Sequence, residues 1–291
     1  MSKRSTHIRV VLLSMLVVCC VVVYSQVAFA DLTEGLVGHW AFDEGASSTA
    51  YDSGGSIDGT LTNMDTGNVW VTGKVGDYAL DFDGSEDYID LNSDLEINNV
   101  LTVSAWINPH SLSAREIVSS CHDDAPNYNW RFGIDNDGKL FVLVSDDGSG
   151  SPGHYRYYTQ DVASLQAYEW QHISAVLNAS GDTFHIYIDG SEVSGTKTGD
   201  AQVGIHRSEE VWVGARGYEG GSRYFDGLID EVAIWNQELD LEDVGTLYNG
   251  GDGIVYALYG GSVPELPPFA MQIMVLLFGG GFGFIKKRFR R

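Results

Sequence analysis

Residues 225–235 read FDGLIDEVAIW. Taken as a strand, this stretch places Asp226, Leu228, Asp230, Val232 and Ile234 on one face. Phe225, Ile229, Glu231, Ala233 and Trp235 fall on the other. Both faces are mostly apolar, as in a central strand covered on each side. Each face nevertheless carries a carboxylate in mid-strand. A carboxylate flanked by Leu228 and Val232 is costly unless a cation, backbone N–H groups or an arginine compensates it. Such a break in the local pattern marks an expected site, structural or functional.

The same short rhythm extends outward from this strand. Runs broken by Gly, Asp, Asn and Ser predict strands at 36–42, 79–82, 88–91, 101–107, 116–120, 130–134, 140–144, 155–159, 172–177, 183–188 and 211–214. Asn136-Asp137-Gly138 and Asp189-Gly190 have the composition of tight hairpin turns. Many short strands with turns between them imply an all-β sandwich or barrel. One helix is expected, over 241–248. Asp240 caps it, Glu242 and Asp243 occupy its first turn, and Gly250 follows its end.

The two ends of the 291-residue chain have a different composition. Residues 1–30 combine Lys3, Arg4 and Arg9 with an apolar run over 10–23 and a closing Ala28-Phe29-Ala30. This is the pattern of a secretory signal peptide cut before Asp31. Residues 252–268 form a linker containing Val263-Pro264-Glu265. The uncharged segment 269–285 has the length of a short transmembrane span, and the basic tail 286–291 would stay on the cytoplasmic side. Its four glycines, at 279, 280, 281 and 283, argue against a buried core helix. The expected location is the cell surface or the extracellular space, with at least transient inner-membrane anchoring.

Residues 31–251 are expected to form one domain. Over 31–262 there are nine basic and 39 acidic residues, a formal charge of −30. Such a surface repels nucleic acid and attracts divalent cations, so no nucleic-acid partner is expected. Cys121 is the sole cysteine of this region, so no internal disulfide forms there.

Several spaced motifs follow in order: GLVGHWAFDEG (35–45), YDSGGSIDGTL (51–61), ALDFDGSEDYIDL (79–91) and LTVSAWINP (101–109). EWQHISAVLNASGDTFHIYIDG (169–190), VWVGA (211–215), FDGLIDEVAIWNQEL (225–239) and LYNGG (247–251) complete the set. Together they resemble the laminin-G-like, concanavalin-A-like jelly-roll domain of secreted bacterial proteins. The resemblance implies a two-sheet antiparallel jelly-roll sandwich. Lectins, enzymes and adhesion modules all use this fold. The tail is similar to PEP-CTERM sorting signals, in which a membrane protease cuts near the Pro-Glu pair. Here Leu266 stands at the usual second proline, which leaves a simple tail anchor open.

The resemblance to related jelly-roll domains also implies a structural calcium, held by Asp43, Asp52 and Asp230 with loop carbonyls. The Gly-rich loop 51–59 suits such a hard cation. The alternative is that Asp52 caps a turn and Asp230 accepts backbone N–H bonds.

Catalysis finds little support. A glycosidase needs two carboxylates about 5–9.5 Å apart across the scissile bond. No laminarinase-type Glu-x-Asp-x-Glu run falls on an expected strand, since Glu238-Leu239-Asp240-Leu241-Glu242 lies at the cap and first turn of the expected helix, and a Gly-x-Ser-x-Gly elbow and zinc spacing are absent. Cys121 and His122 point to opposite faces of a strand. For a ligand, sugar sites pair aromatic faces with planar polar groups. Three segments offer these: 122–131, with Tyr128 and Trp130; 154–158, with His154, Arg156 and Tyr158; and 217–224, with Tyr218 and Arg223. Trp130 shares a face with Phe132 and Ile134 and is expected in the core. His154, Arg156 and Tyr158 share a strand face and form the preferred surface trio. The expected function is non-catalytic binding of a glycan or another surface ligand. The alternatives are a structural or adhesion role and a glycan-degrading enzyme.

Overall fold

The computed structural model describes residues 32–122, 127–148, 155–199, 205, 210–216 and 223–255. The expected signal peptide, most of the linker, the membrane segment and the basic tail lie outside them. Among the described residues, no helix is long and apolar enough to cross a membrane.

Two antiparallel sheets face each other. The eight-stranded sheet runs β14 (Ser191–Val193), β13 (Thr183–Ile188), β12 (Gln171–Asn178), β7 (Val100–Pro109), β17 (Asp226–Trp235), β5 (Tyr78–Asp83) and β4 (Trp70–Thr72). In it β1 (Leu36–Trp40) also pairs with β17. The nine-stranded sheet runs β15 (Gly195–Gly199), β11 (Tyr155–Gln160), β10 (Leu140–Gly148), β9 (Asn127–Ile134), β8 (Arg115–His122), β16 (Val211–Val213), β6 (Tyr88–Asp90), β3 (Gly59–Thr62) and β2 (Thr49–Ala50). Each strand expected from the sequence is present. The unexpected ones, β2, β3, β4, β14 and β15, are short and lie at or near the sheet ends, where few apolar residues are needed.

Trp40, Phe82, Trp130, Phe132 and Phe225 belong to the core between the sheets, and each is at most 1% exposed. A second apolar layer covers the outside of the eight-stranded sheet. There Val176, Ala233 and Trp235 meet Val244 and Leu247 of the helix α1 (Leu241–Tyr248). The expected cap is formed. Asp240 accepts from the amides of Glu242 and Asp243, and Asp243 accepts in return from the amide of Asp240 at 3.1 Å. The β13–β14 hairpin turns on Asp189 (φ 49°) and Gly190 (φ 71°), the left-handed pair its sequence demands.

Strand β17 departs from simple alternation. Its register against β7 shifts between Asp230 and Ala233, and Glu231 sits at φ 52°. This bulge inserts one residue and exchanges the faces beyond it. Phe225 and Ile229 therefore share the inter-sheet core with Val232 and Ile234, while Ala233 and Trp235 face the helix layer. The strict two-face reading of 225–235 holds only up to the bulge. Asp230 and Glu231 sit at the break itself.

Candidate functional site

One register row crosses five strands of the nine-stranded sheet. Tyr157 lies opposite Leu143, Leu143 opposite Arg131, Arg131 opposite Ser119, and Ser119 opposite Trp212. Their chain neighbours Tyr158, Val142, Val144, Phe132, Val118 and Val213 all belong to the core. The row therefore points away from the core.

At one end of this row, Arg131, Asp135, Asn136, Asp137, Phe141, Tyr157 and Arg223 line a cavity of about 270 Å³. The Phe141 and Tyr157 rings stack with centroids 5.2 Å apart. The Arg131 guanidinium lies 5.2 Å over the Phe141 ring. Arg131 is ion-paired with Glu116, whose side chain is fully buried. Arg223 brings Nη1 to 3.6 Å from the same carboxylate oxygen. Glu116 lies opposite Gly133 in the β8–β9 pair. A Cβ at 133 would collide with the Arg115 carbonyl and press on Phe141 and Glu116 Oε2 at 3.1 Å. Glycine there lets the ring and the carboxylate approach the same point.

The β9–β10 turn supplies the acidic wall. Asp135 Oδ1 accepts from the amides of Asp137 (2.8 Å) and Lys139 (3.0 Å), which holds the turn rigid. Burial, reinforced by the charge of Asp135, pushes the Tyr157 phenol up to about 12, so it stays a neutral hydrogen-bond donor. Burial lowers the Arg223 pKa, opposed by the attraction of Glu116. The cavity thus combines an aromatic ring, two guanidinium forks and carboxylate acceptors, a set that matches a polyhydroxylated ligand.

The residues expected for the ligand are placed differently. Tyr158 is only 6% exposed and packs in the core, its ring 6.2 Å from that of Phe184. It is therefore not a surface residue, and the expected surface trio does not stand. Arg156 is the backbone partner of Val144. The side chains of Arg156 and Tyr128, and all of His154 and Tyr218, lie outside the described residues. The expected segments do contribute Arg131, Tyr157 and Arg223 to the cavity. The available signal was alternation itself: with Trp130 and Phe132 assigned to the core, Arg131 must point the other way.

Among the carboxylates expected to hold calcium, two grip one loop. Asp230 Oδ2 accepts from the amides of Lys74 (2.8 Å) and Val75 (3.0 Å). Asp43 Oδ1 accepts from the amides of Asp77 (2.7 Å) and Tyr78 (3.0 Å). Between these, Gly76 has φ 66°, and a Cβ there would run into Asp43. Asp230 Oδ1 is buried with no hydrogen-bond partner among the described residues. Asp52 is occupied elsewhere: Oδ1 accepts from the amides of His39 and Gly54, and Oδ2 from that of Ile57. It closes its own loop, as the turn-capping alternative has it. Among the described residues, no group of three or more His, Cys, Asp or Glu is arranged for a metal. A cation would thus be held by Asp43, Asp230 and loop carbonyls, with the orphaned Oδ1 as the fitting donor. Burial pushes the Asp230 carboxyl up to about 8. Beside it, His39 Nε2 and Glu231 Oε2 are 2.6 Å apart. Burial lowers the pKa of the imidazole and raises that of the carboxyl.

Residues 83–245 match the family model described as the concanavalin A-like lectin/glucanases superfamily. The chain belongs to this family. Among solved structures it is similar to domain 4 of AbnA, a GH43 extracellular arabinanase from Geobacillus stearothermophilus, in complex with arabinotriose. That match has 22% identity and a TM-score of 0.54, and covers 72% of this chain and 96% of that one. It is also similar to the binding domain of botulinum neurotoxin serotype D (18% identity, TM-score 0.56, 77% and 52% covered). A third similar structure is Trypanosoma rangeli sialidase in complex with sialic acid (13%, 0.51, 74% and 32%). The chain thus spans about half of the toxin domain and about a third of the sialidase. At these identities the likeness establishes the fold. No curated protein matches the chain.

Proposed function

We propose that the protein is a non-catalytic carbohydrate-binding module. The observation that carries this reading is the cavity in which Tyr157, Arg131 and Arg223 converge on the outer face of the nine-stranded sheet. The similar arabinanase domain was solved with arabinotriose, which fits a glycan ligand. A binding role is favoured over catalysis by the state of the carboxylates. Glu116 is neutralised by Arg131 and Arg223, and the two carboxyls pushed up to about 8, Asp230 and Glu231, belong to the other sheet.

The reading extends to the chain ends and the loop. The module is exported through residues 1–30 and sorted or anchored through its Pro264-Glu265 tail. One calcium, held by Asp43 and Asp230, ties the first segment to the last strand.

The test is affinity electrophoresis and calorimetry against arabinan, xylan, laminarin, cellulose and galacturonan. At least one polysaccharide should bind. Tyr157→Ala should weaken that binding by about 1–3 kcal/mol with the melting temperature kept, and Arg131→Ala should weaken it too while lowering the melting temperature, because it leaves the buried Glu116 carboxylate without its main partner. Binding that survives the double substitution unchanged would place the site elsewhere.

A further inference from the structure

The cavity gathers positive charge in a domain that has little of it. Residues 31–262 hold nine basic residues, and two of them, Arg131 and Arg223, line this one cavity. Both contact one carboxylate, that of Glu116, whose side chain is fully buried. Arg131 Nη2 pairs with Glu116 Oε1 directly, whereas Arg223 Nη1 stands 3.6 Å from that oxygen, beyond hydrogen-bond length. One carboxylate thus serves two guanidinium groups. Burial lowers the Arg223 pKa, Glu116 opposes that, and the nearby charges of Arg131 and Arg216 lower it further. The Arg223 side chain is 27% exposed and lines the cavity with most of its five donors still to be used among the described residues.

The carboxylates that line the cavity lie on the β9–β10 turn. Asp135 Oδ1 is occupied by the amides of Asp137 and Lys139, and Asp137 is exposed. Asp135 Oδ2 is left to accept from a ligand hydroxyl. Burial raises the Tyr157 pKa, with Asp135 acting in the same sense and Arg131 and Arg223 in the opposite one. The phenol therefore lies within reach of both signs of charge. A fitting ligand carries an anion for the arginines and hydroxyls for the phenol and the turn. At about 270 Å³ the cavity lies just under the ~300–1,000 Å³ of ordinary small-molecule sites, which suits one sugar unit and not a chain.

We infer that the cavity selects an acidic sugar: one hexuronate unit, its carboxylate paired with the Arg223 guanidinium and its hydroxyls directed to Tyr157 and Asp135. This rests on the cavity being a sugar site. A neutral sugar would shut Arg223 off from water without supplying a counter-charge, which costs free energy. A planar carboxylate meets the guanidinium fork in two parallel N–H···O bonds and brings that charge. The domain as a whole, at −30, repels anions, so the preference comes from these arginines.

The test is calorimetry on the full-length protein with matched monosaccharides. Glucuronate, galacturonate and mannuronate are each compared with the parent hexose and with the neutral uronate methyl ester, and galactose 6-sulfate is the sulfate probe. At least one uronate should bind about tenfold or more tighter than both of its neutral counterparts. Arg223→Gln should erase that preference, and Arg223→Lys, which keeps the charge and loses the fork, should retain part of it. The methyl-ester comparison needs no variant, so it decides the matter even if Arg223→Gln lowers the melting temperature. Equal affinity for uronate, ester and hexose, or a preference intact in Arg223→Gln, would overturn the acidic-sugar inference and keep the cavity. Tighter binding of the sulfate than of every uronate would overturn the carboxylate. No binding of any probe, charged or neutral, would remove both the selectivity and the sugar site.

Discussion

His172 is fully buried under Trp106 and Tyr248, with Nε2 2.8 Å from the Ser104 hydroxyl. Burial lowers its pKa to about 3 from 6.5. The folded chain therefore binds fewer protons than the unfolded one between those values, so this histidine's share of stability is complete above pH 6.5 and is lost as pH falls toward 3. Each pH unit in that window costs up to about 1.4 kcal/mol. Glu231 lines the same small cavity, and its raised pKa acts in the opposite sense. Comparison with His172→Gln isolates the histidine: denaturant unfolding should show the variant losing less stability than the parent between pH 7 and pH 4. A parallel pair of curves would contradict the buried neutral imidazole. At the cavity, Gly133→Ala should lower both stability and sugar affinity, because the added methyl displaces Phe141 and Glu116 together.

At the scale of elements, the helix and the bulge differ in how they are encoded. Helix α1 was legible because its cap is local: Asp240, Glu242 and Asp243 lie within one turn. Asp240→Ala should cost about 1 kcal/mol in chemical denaturation. Leu247→Ala should cost more, about 2–5 kcal/mol, since Leu247 is 4% exposed and helps cover Trp235 and Ala233. The bulge at Glu231 leaves no such local mark. It is set by pairing with β7 and by His39, which comes from β1 at the other end of the chain. A two-residue periodicity cannot announce the position where it slips.

Across the whole molecule, the strongly acidic surface and the absence of a domain disulfide make a cation a natural closing element. If calcium binds the Asp43–Asp230 loop in the folded state only, at 100 times its dissociation constant it adds about 2.7 kcal/mol. Chelation should then lower the melting temperature, and Asp230→Asn should remove most of that sensitivity. Identical melting with and without chelator, together with no metal by elemental analysis, would leave Asp230 as an acceptor of backbone N–H bonds alone. At the tail, intact-mass analysis of surface-exposed protein should find a terminus near Pro264-Glu265 rather than at Arg291.

By itself the sequence determined the sandwich, its strands, its capped helix and the burial of Trp130, because alternation, turn residues and caps act over a few positions and are written locally. It also singled out the segments that supply Arg131, Tyr157 and Arg223. Only the tertiary structure decided which faces those segments turn outward. Tyr158 went to the core and Tyr157 to the cavity because strand register is set by partners far away in the chain. The pairing of Glu116 with both arginines and the stacking of Tyr88 on Trp212 arise in the same way. Each joins residues that only the closed sheets bring within bonding distance.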